Sequence, residues 1–213
     1  MSKSGLARDR VSAMVETLDE LYGTIPWWQA PPEEVMIGAI LVQQTRWVNV
    51  ERALKHLRAV GLLSLEAIDE APPEAIEIAV RCTGFFRVKT RRLKALARLV
   101  TRTYGSVEAM ARAPTDELRR DLLGVPGIGE ETADAILCYA FSRCAFVVDT
   151  YTRRLCACAG IAEPSGGYRA LFESVLPRKN RSYRQTHAHI VEYGKTFCSR
   201  GRCEGCSIRS SNG

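Results

Sequence analysis

The stretch Leu122-Leu123-Gly124-Val125-Pro126-Gly127-Ile128-Gly129-Glu130-Glu131-Thr132-Ala133-Asp134 governs how this chain folds. One helix closes at its start, a Gly-Pro-Gly-x-Gly turn follows, and a second helix opens at the acidic pair. Glycines at 127 and 129 are expected to adopt backbone angles closed to other residues and to let an anion approach the main chain. Amides at the start of the second helix suit a phosphate, and such a contact is indifferent to base sequence. An ordinary glycine-rich turn between packed helices accounts for the same residues.

Outward from this hairpin the chain reads as helix after helix. Val11, Met14, Val15, Leu18 and Leu21 recur at helical spacing over 8–22. Pro31 and Pro32, with Glu33 and Glu34, suit the start of a helix over 33–44, whose VMIGAILVQQ run is too apolar for a surface position. Further helices are expected at 46–60, 64–70, 73–81, 88–104, 106–113, 115–123, 130–142, 150–159, 167–176 and 180–196, punctuated by Gly61, Gly84, Gly105 and the EPSGG segment. No sustained strand alternation occurs, and the apolar run at 145–148 is short enough to be an extended linker. The expected fold class is all-α, with no internal repeat.

The 213 residues carry a formal net charge of +6 and are 46% hydrophobic, enough for a real core. The excess of positive charge favours a polyanion, nucleic acid first, over a merely basic soluble protein. No apolar run spans a bilayer, and the charged N-terminus lacks the apolar core of a secretory signal. The expected location is the cytoplasm, on the nucleoid, with the eight cysteines as thiols or metal ligands rather than disulfides.

The full hairpin string resembles that of the endonuclease III (HhH-GPD) superfamily of DNA glycosylases. That family follows its hairpin with a short apolar stretch and an Asp. Here Phe146-Val147-Val148-Asp149-Thr150 is similar to it, and the resemblance implies that Asp149 is the catalytic carboxylate. The chemistry agrees: loss of a base leaves positive charge on the sugar, which a fixed carboxylate stabilises while orienting water. Asp149 also stands where it could simply cap the helix from Thr150.

Bifunctional members carry a Lys nucleophile in the second hairpin helix; the matching residue here is Glu131, which cannot form a Schiff base. The expected enzyme is therefore monofunctional and leaves an abasic site. Pro26-Trp27-Trp28, then Gly38-Ala39-Ile40-Leu41-Val42-Gln43-Gln44-Thr45 and Trp47, are similar to the 3-methyladenine glycosylases of the endonuclease III type. The resemblance implies a base pocket from Trp28, Trp47, Trp27 and Glu131, and Gln43 as the plug for the gap left by a flipped base. Indole rings suit cationic alkylated purines, at about 1–3 kcal/mol per stacked base; packing in a core would use the same rings.

Cys198, Cys203 and Cys206 form C-x4-C-x2-C. This resembles the [4Fe–4S] loop of endonuclease III, with a shorter first gap and no fourth cysteine at the family position. A fourth ligand from Cys156 or Cys158, zinc with His187 or His189, and an empty site stay open. Cys82, Cys138 and Cys144 are expected as small buried residues. Gly127, Gly129, Thr132, Lys89 and Arg202 are the expected DNA contacts, joined by Arg200, Arg209, Arg87, Arg91, Arg92 and Lys94; a solvated helix face is the bland meaning of such a charge run. The resemblance implies two helical lobes, 33–147 and 1–32 with 148–213, duplex DNA lying across the cleft with its base flipped between them, and a monomer. Rival readings are a bifunctional lyase for oxidised pyrimidines and a non-catalytic lesion- or redox-sensing DNA-binding module.

Overall fold

The computed structural model describes residues 3–198 and 205–208, and every regular element among them is helical. In chain order these are α1 (Lys3–Tyr22), α2 (Pro32–Leu41), α3 (Trp47–Ala59), α4 (Leu65–Glu70), α5 (Pro73–Val80), α6 (Phe86–Arg98), α7 (Val107–Met110), α8 (Thr115–Leu123), α9 (Glu130–Ala135), α10 (Thr150–Cys158), α11 (Gly167–Val175) and α12 (Asn180–Thr196). A 3-10 turn, Arg81–Thr83, precedes α6; wider π turns at Leu99–Tyr104 and Ile136–Ala140 extend α6 and α9. No helix among the described residues is long and apolar enough to cross a membrane.

Two compact units emerge: residues up to Trp28 together with those from Arg143 onward, and Gln29–Ser142. In the second of these, α2 is the central strut. Pro32 opens it, Glu33 and Glu34 occupy its first turn, and all seven residues from Val35 to Leu41 are buried. At about 1.5–3 kcal/mol for each large apolar side chain, this run anchors the unit. The helix stops at Leu41, short of the expected 44, because Gln44 takes φ 55 and breaks the helical path.

In the other unit α1 packs on α11 and α12, and α10 packs on α12. Val11, Met14 and Leu18 form the buried stripe of α1, while Leu21 is left exposed. The apolar run at 145–147 belongs here, not to the unit that precedes it. Phe146 stacks on Phe172 with ring centroids 4.3 Å apart, meets Tyr183 edge-on, and donates its N–H to Glu173. The unit boundary accordingly lies at residue 142 rather than 147.

Candidate catalytic and DNA-binding sites

Asp149 is the N-cap of α10, in extended backbone conformation. Its Oδ1 accepts the Thr152 N–H at 2.7 Å and the Thr152 hydroxyl at 2.9 Å. Both bonds lock the carboxylate against the helix start, where the backbone dipole also favours negative charge. The capping and catalytic readings of this residue are therefore compatible: the cap fixes the aim of the carboxylate. Oδ2 stands 3.7 Å from His187 Nε2, an ion-pair distance. Burial pushes the Asp149 carboxyl up; His187 and the Thr152 donors outweigh it and hold the group below its ordinary 3.8. The side chain retains 14% exposure, so it is desolvated without being sealed.

His187 reaches Asp149 because α12 lies against α10. A Cβ on Gly194 would stand 2.3 Å from the Tyr151 ring, so only glycine permits this approach. The Trp27 indole meets the His187 ring edge-on at 6.3 Å, and the Lys195 ammonium lies 5.4 Å over Trp27. A cation already held at an indole face disfavours a second cation at that face. The 23–28 segment is strapped to α12: Gln185 exchanges two 3.0 Å hydrogen bonds with the Ile25 backbone, Arg184 donates to Trp28 O, and His189 contacts Gly23 O. Trp28 is half-buried.

In the other unit, α8 and α9 form the helical hairpin expected from the sequence. Arg119 grips Asp134 through both carboxylate oxygens and reaches Glu130, fastening α8 to α9. Val125 and Ile128 anchor the turn from below. Gly127 has φ 85, and a Cβ there would collide with the Arg92 side chain at 2.1 Å. Gly129 differs from expectation: its φ of −93 is open to any residue, and what it offers is space, with nothing within 4 Å of an added Cβ.

Gln43 closes on this turn. Its Nε2 donates to Gly127 O and Thr132 Oγ1, each at 3.1 Å, and its Oε1 accepts from Arg92. Thr132 is buried beneath it. Thr132 and Arg92 therefore brace the loop after α2 against the hairpin; the burial of Thr132 corrects its expected role as a DNA contact, while Arg92 is half-buried. Lys89 needs the same correction. It is 1% exposed, and its Nζ donates to Leu41 O at 2.9 Å and Thr83 O at 2.8 Å. Burial pushes its ammonium down to about 8. Lys94 likewise donates to the carbonyls of Ile68, Asp69 and Ala71, near the end of α4. Arg87 and Arg91 stay exposed on α6. Trp47 is half-buried with Nε1 donating to Glu51, and Glu131 is exposed on the first turn of α9.

The family model described as the HhH-GPD superfamily base excision DNA repair protein matches residues 37–177, spanning the hairpin and Asp149. The chain belongs to this superfamily. A Methanocaldococcus jannaschii protein named for DNA repair glycosylase activity is 37% identical over 208 residues, covering 94% of each chain. Endonuclease III of Thermotoga maritima is 29% identical and covers 85% of this chain and 83% of its own. Among solved structures, the H. pylori 3-methyladenine DNA glycosylase bound to 1,N6-ethenoadenine matches with a TM-score of 0.75 at 26% identity, covering 92% of this chain and 98% of that one. An endonuclease III–DNA complex, at 20% identity and a TM-score of 0.77, shares the fold.

Two further residues of this HhH-GPD glycosylase escaped the sequence reading. His187, offered by the sequence only as a possible zinc ligand, is one; nothing in the chain marks a histidine so far from Asp149 in sequence as its partner. Phe85 is the other. It is 65% exposed, takes φ 45, follows Gly84 at φ 69, and is succeeded by Phe86, over which Arg81 and Arg87 lie. A large apolar side chain held out in a left-handed conformation among arginines is a costly arrangement for a surface. The visible signal was the Gly-Phe-Phe-Arg string ahead of a basic helix.

At the cysteine loop, Cys203, Arg200, Arg202 and Arg209 lie outside the described residues. Cys198 and Cys206 are half-buried, and Tyr193 OH donates to Cys206 Sγ at 3.2 Å. Of the other candidate ligands, Cys156 is buried, with its thiol pushed up to about 12 by burial, and Cys158 is exposed. His187 faces Asp149, and His189 faces Gly23 O and Asp19. Among the described residues no group of three or more His, Cys, Asp or Glu could hold a metal ion. Cys138 is buried as expected, whereas Cys82 and Cys144 are half-buried.

Proposed function

We propose that this DNA glycosylase hydrolyses the N-glycosidic bond of alkylated purines such as 3-methyladenine in duplex DNA, acting as a monomer on a flipped base and leaving an abasic site. The observation that carries this reading is the Asp149 carboxylate, fixed by Thr152 and held ionised. In the proposed reaction the bond from C1′ to the base nitrogen breaks, and its electron pair leaves with the base. The sugar becomes oxocarbenium-like, and the Asp149 charge stabilises it through Oδ2. Water then adds at C1′ and gives up its proton to solvent, or transiently to the Asp149 carboxylate. A carboxylate held below its usual pKa is a weak base, so its main contribution is charge stabilisation, with proton transfer secondary. A cationic alkylpurine leaves readily and needs little acid assistance.

Two features support the monofunctional alkylpurine reading. Glu131 stands where an amine nucleophile would, and a solved relative named as a 3-methyladenine glycosylase matches nearly the whole chain. Gly127 and Gly129 are assigned to phosphate contact, Arg87 and Arg91 to the flanking backbone, and Phe85, with the 42–46 loop, to the stack opened by base flipping. Cys198, Cys203 and Cys206 would supply three of the four ligands of a [4Fe–4S] cluster, with Tyr193 bonding one sulfur; such a cluster would cross-link the C-terminal loop.

Incubation with dimethyl-sulfate-methylated duplex DNA tests the reading. Release of free methylpurine without strand nicking, and without borohydride-trapped protein–DNA adduct, is the expected result. A trapped adduct contradicts the monofunctional assignment, and release of oxidised pyrimidines alone contradicts the substrate class.

A further inference from the structure

Lys89 is the one fully buried ammonium among the described residues, and the reaction above does not use it. Its two carbonyl partners are informative. Leu41 is the last residue of α2, and Thr83 ends the 3-10 turn before Gly84. Both carbonyls lie at the negative ends of helical turns, whose C=O groups lack partners within the turn. One cation thus satisfies two chain ends that are far apart in sequence.

Each of these carbonyls opens onto an unusual loop. After Leu41 come Val42, exposed, and Gln44 at φ 55; after Thr83 comes Phe85 at φ 45, 65% exposed. Three non-glycine residues with positive φ occur among the described residues, and two of them sit within three positions of these carbonyls. Strained backbone persists only where the surroundings fix it. The Gln43 amide, bonded to Gly127, Thr132 and Arg92, then carries the first of these loops to the hairpin turn.

We infer that Lys89 is a positioning residue for base extrusion: its ammonium clasps the 42–46 loop and the Phe85 loop to one point, so that both enter the DNA stack as a unit. The inference rests on the insertion role given above to these loops. It predicts that loosening the clasp spares phosphate-dominated binding and impairs insertion.

A duplex bearing a tetrahydrofuran abasic analogue opposite 2-aminopurine reads this directly, because insertion beside 2-aminopurine unstacks it and raises its fluorescence. Lys89→Met keeps length and removes the donors. Lys89→Gln and Lys89→Arg retain a donor and serve if the Met variant does not fold. The expected result is a Kd for the duplex within about threefold of wild type, since phosphate contacts dominate affinity, with the rate of fluorescence rise reduced about tenfold or more, the kinetic equivalent of one lost buried hydrogen bond. Lys89→Gln should fall between. An unchanged rise in a folded variant overturns the clasp, as does equal loss of Kd and rise. Absence of any rise with wild type overturns the insertion role and the clasp together, whereas methylpurine release by wild type reports on the glycosylase reading separately.

Discussion

At the residue scale, the proposed function turns on how one carboxylate is held. The family resemblance singled out Asp149 after the hairpin and a short apolar run, and its capping of α10 through Thr152 was legible too; its meeting with His187 was not, since that needs α10 and α12 packed together. The two partners make different predictions. Thr152→Val keeps the backbone donor and loses the hydroxyl, costing about 1 kcal/mol of stability in urea denaturation. His187 acts on titration. With its pKa depressed, Asp149 is charged above 3.8 and loses its charge, with any stability the charge confers, only as pH falls below that value. The wild-type single-turnover rate should therefore show no acid limb from Asp149 at or above pH 3.8. In His187→Asn that stabilisation is lost, and the limb should move upward; superimposable pH profiles would remove His187 from the site's electrostatics. Lys89 shows the reverse kind of legibility. It shares a helical stripe with Leu93 and Leu96, both fully buried, so its spacing already pointed inward while its charge suggested a surface.

At the element scale, the helices could be read from apolar spacing and from Pro and Gly punctuation, and most boundaries fall within a few residues of expectation. α2 ended early because Gln44 turns left-handed, a tertiary demand that no local pattern carries. Glycine was easy to notice and hard to interpret. Gly127 needs both its positive φ and the absence of a Cβ, whereas Gly129 needs neither positive φ nor a tight fit. Gly127→Ala should therefore cost about 1–3 kcal/mol and weaken duplex binding by displacing Arg92, while Gly129→Ala should leave stability nearly unchanged; chemical denaturation and fluorescence anisotropy separate the two. Gly194→Ala pushes α12 off α10, with an overpacking cost of about 1–3 kcal/mol and a drop in base release; an unchanged Tm would show that the contact with Tyr151 yields easily.

At the scale of the whole molecule, the positive balance of the sequence is consistent with a DNA-repair protein, but charge counting did not say which cations face the ligand. Lys89, Arg92 and Lys94 are engaged inside the protein. Arg87 and Arg91 remain on the surface, so Arg87→Gln with Arg91→Gln should lower the slope of log affinity against log salt by about 2, near one unit per phosphate contact; an unchanged slope would free both from the DNA-binding surface. Apolar run length also misled at the domain boundary, where Phe146 joins the core of the unit that follows. The central claim concerns a charge facing a sugar, and single-turnover methylpurine release by Asp149→Asn tests it most directly. The predicted result is a fall of about a hundredfold or more with duplex affinity close to wild type. Release at the wild-type rate by this variant would contradict the claim.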